Sequence, residues 1–526
     1  MGKMNNVSFQ KGQSGNGAPL TGTDYISGLL FYNNTAPAAF QASPHTKLCL
    51  SLAQAEGYGI LNDFSDETPA VGSVAIASVV SVTGDKISIY FTEPDGTVVL
   101  LGSYTPTVGQ DEVAIVAALI VNINSLTFQH GYAAVINGLS TAKLDIEARP
   151  GLGIFPNSGT PLSHVTTGTI VPTITQMSGG VYSKLAIYHY HIDRYFKRNP
   201  QGRLWVGIFA VPATFDYVEI ATMQNAASNE INHIGIYVNE TDSWATADID
   251  LIQGVLDALE LVYKTISSAI YVADATGLTL SGDFVLPAYN LATLTDKNVS
   301  ASLMQDGAAE GYILGLTCGV SIGSVGADLG AISFSKVSES IAWVEKQRVD
   351  FDGVEFNTLA FITGEDYKTI QNLTPLTPDV VFDALNDSRY LFGRKYNGAS
   401  SFTGSYYNDN MTAIASNNDY ANINKNRVID KAVKLLRGTL LPKLSSPLTL
   451  NADGTLTNED ITMIVADCED TLRINMVDAG ELSPIAPGDI SINPTQVVNL
   501  TSTLTIAVLL NEIAIARNIV VPIKYK

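Results

Sequence analysis

Two histidines and a carboxylate in the stretch YHYHID are the residues whose types could ligate a metal ion. His189, His191 and Asp193 offer imidazole and carboxylate donors, which transition metals prefer. Residues 182–199 carry apolar side chains at helical spacing, however, and residues two positions apart on a helix do not share a face. No third histidine lies nearby, and the chain has six in all. The sequence therefore predicts structural roles for both histidines and no metal site.

A glycine-rich segment, LGLTCGVSIGSVG within residues 308–332, is the second place where chemistry could reside. Glycines can cradle phosphate groups, but neither GxxxxGK[ST] nor a helix-opening GxGxxG occurs. The chain also lacks GxSxG, HExxH and an H-x-E motif with a downstream PCxxC. Close helix packing or an adaptable loop explains these glycines better. The sequence thus predicts no catalytic residue, no cofactor and no enzyme activity.

A basic cluster between residues 425 and 443 stands against an acidic background. Asp430 is the one acidic residue in that range, and the basic residues are Lys425, Arg427, Lys431, Lys434, Arg437 and Lys443. Helical spacing places Arg427, Lys431 and Lys434 on one face, opposite the apolar Val428, Ala432, Leu435 and Leu436. Two interpretations stay open at this point. The basic face is either solvated or aimed at an acidic partner protein.

The two ends of the chain pose a question of strand pairing. Residues 519–526 alternate as a strand would, with Ile519, Val521, Ile523 and Tyr525 on one side and Val520, Pro522, Lys524 and Lys526 on the other. Proline cannot donate to a ladder, so this strand is either an edge of the chain's own sheet or one that completes a sheet in a neighbouring copy. For the polar, glycine-rich residues 1–22 the same two possibilities remain: pairing within the chain or pairing with a neighbouring copy. If the ends pair with neighbouring copies, Gly15–Gly17 and Ala514–Asn518 are the candidate hinges beside the two terminal segments.

Composition and charge exclude several classes of partner. The 526 residues carry a net charge of −21, which argues against binding nucleic acid or an anionic membrane surface. Three separate cysteines, with no CxxC, indicate reduced thiols and synthesis in a cytoplasm. The N-terminus resembles neither a signal peptide nor a myristoylation site, and no apolar run is long enough to span a membrane.

The elements around these features predict an α/β and α+β protein of several domains. We expect a strand near residues 24–33, a strand-rich block at 71–177 with a helix at 111–126, and a helix at 182–199 before a buried strand at 203–212. Further on we expect an amphipathic helix at 424–444 that Gly438 and Pro442 stop. A hairpin around Asp453-Gly454 and a helix at 460–477, opened by Thr457 and Asp460, follow it. Ile461, Ile464, Cys468 and Leu472 form the expected core face of that helix.

Three stretches resemble contractile-tail sheath proteins of bacteriophages, in particular those of transposable-phage-like tails, and related phage-like injection systems. They are PLTGTDYISGLLFYN, NPQGRLWVGIFAVP, and the run from NRVIDKAVKLLRGTLLPKLSSPLTLNADGTLTNEDI through ISINPTQVVNLTSTLTIAVLLNEIAIARNIVVPIKYK. The last resembles the helix, hairpin, helix and paired final strands of a sheath C-terminal domain. The block at 71–177 lies outside the resemblance.

The resemblance implies a division of the chain into sheath domains. These are an N-terminal arm (1–35), a core domain (36–70 and 178–379), an inserted outer domain (71–177), a tube-proximal C-terminal domain (380–518) and a connector strand (519–526). It implies that the connector residues Ile519, Val520, Val521, Pro522, Ile523, Lys524 and Tyr525 pair with a neighbour. It gives an arm role to Leu20, Asp24, Tyr25 and Ile26, and it places Arg427, Lys431 and Lys434 against the tube.

The function that the resemblance implies is structural. The chain would polymerise as stacked hexameric rings around an inner tail tube, bound also to baseplate and tail terminator proteins. Contraction would drive the tube through a target envelope. The protein would be part of a virion tail, assembled in the cytoplasm of a bacterial host, with no nucleic acid partner and no membrane span. Two alternatives remain: a baseplate or fibre-like adhesin, and an α/β hydrolase with its site in residues 308–332.

Overall fold

A computed structural model describes most of the chain and shows a mixed α/β protein with several sheets. The described residues are 24–94, 96–238, 246–272, 278–281, 284–287, 289–303, 305–306, 322–347, 359–362, 370–372, 379–394, 406–498, 502–515 and 522. Within these ranges, no helix has the length and apolar character needed to cross a bilayer.

The chain enters the fold through a strand whose residues are all buried. The run ISGLLFY forms it, with a glycine and six residues that are mostly large and apolar, as expected for a strand covered on both faces. The elements before the inserted block are β1 (Ile26–Tyr32), β2 (Thr46–Cys49) and α1 (Leu52–Gly57).

Residues 71–178 form an antiparallel unit around a hydrophobic cluster of their own. Its elements are β3 (Val71–Ile76), β4 (Lys86–Thr92), β5 (Val98–Tyr104), α2 (Glu112–Ser125), α3 (Thr127–His130), β6 (Ala133–Asn137), β7 (Ser140–Glu147), β8 (Leu162–Thr167) and β9 (Pro172–Ser178). The strands form two sheets, ordered β6-β7-β3-β9 and β5-β4-β8. Asp111 caps α2 by accepting a hydrogen bond from the Ala114 amide at 2.9 Å.

The inserted unit joins the rest of the chain through paired backbone and two carboxylates. Thr68 and Val181 exchange N–H···O bonds of 3.2 and 2.9 Å where the chain enters and leaves the unit. Glu67 accepts hydrogen bonds from the amides of Gly151 and Gly153, and its neighbour Asp66 accepts one from the Leu185 amide. The two ends of the insertion are therefore close together, as a tolerated insertion requires.

The largest unit follows the insertion and contains the central sheet. Its helices are α4 (Lys184–Arg198), α5 (Glu219–Ala226), α6 (Thr246–Glu260), α7 (Val325–Phe334) and α8 (Asp379–Asp387). Its strands are β10 (Arg203–Phe209), β11 (His233–Ile236), β12 (Ser268–Val272), β13 (Leu278–Ser281), β14 (Phe284–Pro287), β15 (Thr295–Asp296), β16 (Val299–Ser302), β17 (Gln305–Asp306), β18 (Ile322–Gly323), β19 (Leu359–Ile362), β20 (Ile370–Asn372), β21 (Gly393–Arg394), β22 (Tyr406–Tyr407) and β23 (Ala413–Ile414).

The central sheet has the order β16-β12-β11-β1-β10-β2 and is parallel except for β2. Phe31 of β1 stacks on Tyr188 of α4, with ring centroids 4.1 Å apart, while Tyr32 donates a hydrogen bond to Glu219 of α5. Successive residues of a strand face opposite sides, so helices cover both faces of the sheet.

The central position of β1 corrects part of the predicted N-terminal arm. Ile26 was assigned to the arm, but it is completely buried and pairs in register with Arg203 of β10. β1 pairs with β11 on its other side, so it is an inner strand of the subunit itself. The physical reason is that its large apolar side chains would be costly to leave exposed in an extended arm.

The C-terminal unit contains α9 (Ile423–Leu440), α10 (Asn458–Leu472), β24 (Ile490–Ile492) and β25 (Ile506–Val508). Thr457 caps α10 by accepting a hydrogen bond from the Asp460 amide, as the sequence predicts. Gly438 does not end α9, which continues for two more residues. The predicted helix at 460–477 changes to a π-helical turn over Arg473–Val477.

Candidate functional site: the cationic face of α9

The two histidines that could form a metal pair lie on α4 in separate surroundings. His191 is completely buried against Phe31 and Tyr237, and burial lowers its pKa to about 3, which keeps the ring neutral. The Nε2 atom of His189 lies 2.9 Å from the Glu56 carboxylate. The described part of the chain contains no group of three His, Cys, Asp or Glu side chains that could hold a metal ion.

The glycines at the C-terminal end of the glycine-rich segment lie in α7, where this helix packs against α4. Residues 307–321 of this segment lie outside the described residues. In α7, a Cβ placed on Gly326 would lie 2.1 Å from the carbonyl oxygen of His191 in α4. A Cβ on Gly330 would lie 2.8 Å from the Cβ of Arg198. These two glycines allow α7 and α4 to approach at backbone distance.

The cationic face of α9 is covered by the subunit itself, and this corrects the prediction that it faces solvent or the tube. Arg427 and Lys431 are buried, and Lys434 is half-buried. Arg427 is 3% exposed and donates to the carbonyl oxygens of Ser335 and Lys336 at 3.1 and 3.3 Å, just after the end of α7. A cation at this position also complements the negative end of the α7 dipole. Burial lowers the pKa of Arg427 to about 10, and the carboxylates of Glu481 and Glu339 oppose that shift.

Lys431 and Lys434 continue this face toward the N-terminal edge of the central sheet. The Lys431 ammonium pairs with the carboxylate of Asp24, and Lys434 donates to the side-chain oxygen of Asn232. Burial lowers the pKa of Lys431, and Glu481 opposes this shift while Lys434 adds to it. Burial likewise raises the pKa of Glu481 to about 7. The three basic residues that the sequence placed on one face therefore meet the chain's own core.

The opposite face of α9 packs on the C-terminal unit, as its apolar residues predict. Val428, Ala432 and Leu436 join a cluster with Cys468, Leu472 and Met476. Of the expected core face of α10, Ile464, Cys468 and Leu472 are buried. Helix α9 thus joins two units, with an apolar contact on one side and a polar contact on the other.

A small cleft opens where the cationic face meets the sheet. It is lined by Asp24, Asn232, Ser267, Val337, Arg427, Lys431 and Lys434. Asp24, Asn232 and Ser267 lie one or two residues before the parallel strands β1, β11 and β12, so the N-terminal ends of three strands converge there. Neither Asn232 nor Ser267 carried a signal in the sequence, because the approach of these strand ends depends on the order of the sheet.

The C-terminal sheet ends in a segment with exposed apolar side chains. β24 and β25 pair antiparallel, with Ser491 opposite Ala507. The Ser483 amide donates to the Asn511 carbonyl at 3.1 Å, and Leu509 and Ile515 are 48% and 40% exposed. Of the predicted connector, only Pro522 lies among the described residues, and it is exposed. Leu20 and the other connector residues lie outside them.

Comparison with known proteins gives one family model and solved structures that match. The sequence model of the family described as DUF2586, C-terminal domain, matches residues 419–526, about a fifth of the chain. Among solved structures, the chain is similar to the helical sheath of the anti-feeding prophage (AFP) in its contracted state, with a TM-score of 0.44 and 10% identity over 100% of both chains. No curated protein sequence matches the chain. The family description covers α9, α10 and the β24–β25 sheet and names no activity.

Proposed function

We propose that this chain is the structural subunit of a contractile tail sheath. Copies would assemble as stacked hexameric rings around an inner tail tube, between baseplate and tail terminator proteins, and contraction would drive the tube through a target envelope. The site of action would be a virion or phage-like tail, built in a bacterial cytoplasm. No catalytic residue is needed, because interfaces between subunits would supply the free energy of contraction.

The observation that carries this proposal is the open β24–β25 sheet. Each strand has three residues, and among the described residues the outer edge of neither strand is paired with another strand. A two-stranded sheet of this length is marginal by itself, and open edges favour pairing with another chain. Strands donated by neighbouring copies would complete it through main-chain hydrogen bonds.

The ends of the chain are the segments that would be donated. Residues 509–515 leave β25 without regular structure and expose Leu509 and Ile515, which are costly to leave in water unless a partner covers them. The connector strand Ile519–Tyr525 follows directly. At the other end, the segment before Asp24 would form the second arm, with its root fixed where β1 begins.

Other parts of the proposed domain organisation follow from the same assignment. The unit of residues 71–178 would lie on the outer surface, since its two ends meet at one point of the core. The tube contact is not assigned to Arg427, Lys431 and Lys434, because these side chains bind inside the subunit.

A fibre-like or baseplate role is the second candidate, and one observation favours it. The inserted unit exposes large apolar side chains, including Phe128 at 83% and Leu139 at 98%, which would suit adhesion. This role predicts monomers or trimers and no helical tubes. The oligomeric form therefore separates the two candidates.

Electron microscopy of the purified protein tests the proposal. We expect full-length protein to form long striated tubes with six-fold symmetry and a truncation ending at Asn518 to remain unassembled. Val521→Asp should reproduce the truncation, because it places a charge on the apolar side of the predicted strand. Lys526→Ser, on the other side of that strand, is the matched control and should form tubes. Tubes of equal length from the truncation would refute the connector role, and trimers from full-length protein would favour the fibre.

A further inference from the structure

We propose that the inserted unit, residues 71–178, contacts a second copy of this chain head to tail. The outer side of α2 in one copy would pack on the outer face of the β5-β4-β8 sheet in the next. This contact does not depend on the sheath assignment, because both faces belong to the inserted unit. The partner is identified by two exposed apolar faces, by their lack of charge and by their opposite positions on the unit.

Helix α2 is apolar on all sides, although one side of it faces solvent. Ten of its 14 residues are Val, Ala, Ile or Leu. Its inner side, which includes Leu119 and Ile123, is buried in the unit's own cluster. Its outer side carries Val113, Ala117 and Val121 at intervals of four residues, and Val121 is 68% exposed. A helix that is apolar on every side is normally buried, so we expect a partner to cover the outer side.

The β5-β4-β8 sheet has a second exposed apolar face. The strand register places Leu100 opposite Tyr90, and Val98 lies two residues before Leu100 on the same face. On the other side of β4, Val165 lies opposite Ser88, which shares this face with Tyr90. The exposed fractions of Val98, Leu100 and Val165 are 60%, 42% and 59%. A sheet face of this kind is a surface on which a helix can pack.

The two faces point in opposite directions from the inserted unit. A Cβ on Gly102 of β5 would lie 2.7 Å from the Cγ1 atom of Ile123, so α2 packs on the inner face of this sheet. The outer side of α2 is therefore turned away from the sheet, and the outer face of the sheet is turned away from α2. Two different faces on opposite sides of one unit make a heterologous contact, which repeats from copy to copy in a ring or a helix.

Charge also favours a second copy as the partner. The only Asp, Glu, Lys or Arg residues in α2, β4, β5 and β8 are Glu112 and Lys86, each at the first position of its element and opposite in sign. The whole chain carries a net charge of −21, so copies repel one another where acidic surfaces meet. Faces almost free of charge allow copies to approach closely, whereas a strongly charged partner would find no counter-charge there.

The contact would be made by side chains and not by strand addition, because α2 and α3 already bind the outer edge of β6. The Asn124 side chain accepts a hydrogen bond from the Ala134 amide and donates one to its carbonyl oxygen, both at 2.8 Å. The Thr127 hydroxyl donates to the Tyr132 carbonyl oxygen at 2.7 Å. The contact thus differs from the strand exchange proposed for the β24–β25 sheet, and the two can be tested separately.

The size of the two faces determines how the contact can be detected. Each face has only a few large apolar side chains, far fewer than the roughly 20–30 residues that a standard interface has on each side. The contact is therefore weak between two free molecules and gains strength where many copies are aligned. A covalent crosslink traps such a contact while it forms.

Chemical crosslinking of full-length cysteine variants tests the proposal. Val121→Cys and Val165→Cys each place a thiol on one of the two faces, at exposed positions where the substitution should not disturb folding. With a short bismaleimide, a mixture of the two variants should give at least about tenfold more dimer than either variant alone. The double variant should give a ladder of multimers on a denaturing gel. Wild-type protein, with its three native cysteines, gives the background.

A matched control and the separate tube assay make every outcome decisive. Thr175→Cys places an exposed thiol on the other sheet of the unit, and mixing it with Val121→Cys should add no dimer. Equal dimer yields from each face variant alone and from their mixture would overturn the head-to-tail arrangement. No crosslinks above background would overturn the contact and leave these faces to another partner, such as the target of a fibre-like adhesin. Crosslinks without tubes in electron microscopy would refute the sheath assignment alone, and tubes without crosslinks would refute this contact alone.

Discussion

Gly326 of α7 lies directly against the main chain of His191 in α4. A Cβ on this glycine would be 2.1 Å from the His191 carbonyl oxygen and 2.6 Å from its carbonyl carbon. Main-chain atoms cannot rotate away as a flexible side chain can, so a side chain at this position would push the two helices apart. The glycine-rich sequence around residue 326 therefore serves the packing of the core.

Gly326→Ala should destabilise the core by about 3 kcal/mol or more, because overpacking at backbone contact cannot be relieved locally. Trp205 and Trp343 lie in the largest unit of the chain, so tryptophan fluorescence during urea unfolding measures this loss. Gly254→Ala in α6 is the matched control, because a Cβ there meets nothing within 4 Å. It should leave stability unchanged or raise it by up to about 1 kcal/mol. Similar effects of the two substitutions would contradict the packing role.

The ion pair between Lys431 and Asp24 should stabilise the joint between α9 and β1. Lys431→Met leaves Asp24 without its partner in a mostly buried position, and we expect a loss of about 1–3 kcal/mol. Exchanging the charges, with Asp24→Lys and Lys431→Asp together, should recover part of that loss. Urea unfolding of the single and double variants measures the coupling. A double variant no more stable than expected from adding the single effects would show that the two side chains do not interact.

Asp328 should make the stability of the core depend on pH. This carboxyl in α7 accepts a hydrogen bond of 2.8 Å from the Tyr407 hydroxyl, and burial raises its pKa from 3.8 to about 6. The folded state then binds this proton more tightly than the unfolded state does. Stability is greatest below the unfolded value and falls as pH rises from about 4 to about 6.

Asp328→Asn should remove this part of the pH dependence, on the order of 3 kcal/mol, since an amide does not ionise. Unfolding midpoints between pH 4 and pH 7.5 measure it. Asp296 and Glu481, whose pKa values burial raises to about 7, continue to titrate in the variant and provide an internal reference. Superimposable pH profiles of the variant and the wild type would contradict the assignment to Asp328.

The inserted unit should be removable without unfolding the core. Thr68 and Val181 already pair where the insertion begins and ends, and its apolar cluster is its own. Replacing residues 71–178 by a short Gly-Ser linker should preserve the tryptophan fluorescence transition and, under the proposed function, tube formation. Loss of the cooperative fluorescence transition, or a strongly lowered urea midpoint, would show that the core depends on the insertion.

The sequence by itself determined the local elements and the two faces of α9. Periodicity predicted the helix at 111–126, the Thr457–Asp460 cap predicted the helix at 460–477, and the apolar residues near 24–33 predicted a strand, close to the observed α2, α10 and β1. These features depend on neighbours a few residues apart, whose spacing fixes which side chains share a face. The apolar face of Val428, Ala432 and Leu436 followed from the same rule.

Only the tertiary structure decided what covers each face. Lys431 meets Asp24 across 407 residues of sequence, and β1 lies between β10 and β11, which follow it by more than a hundred residues. Helical spacing separates a cationic face from an apolar one, but a cationic face has the same pattern whether water or a buried carboxylate lies opposite. The order of strands in the central sheet brought Asp24, Asn232 and Ser267 to one edge, and that non-local arrangement made the face of α9 an internal joint.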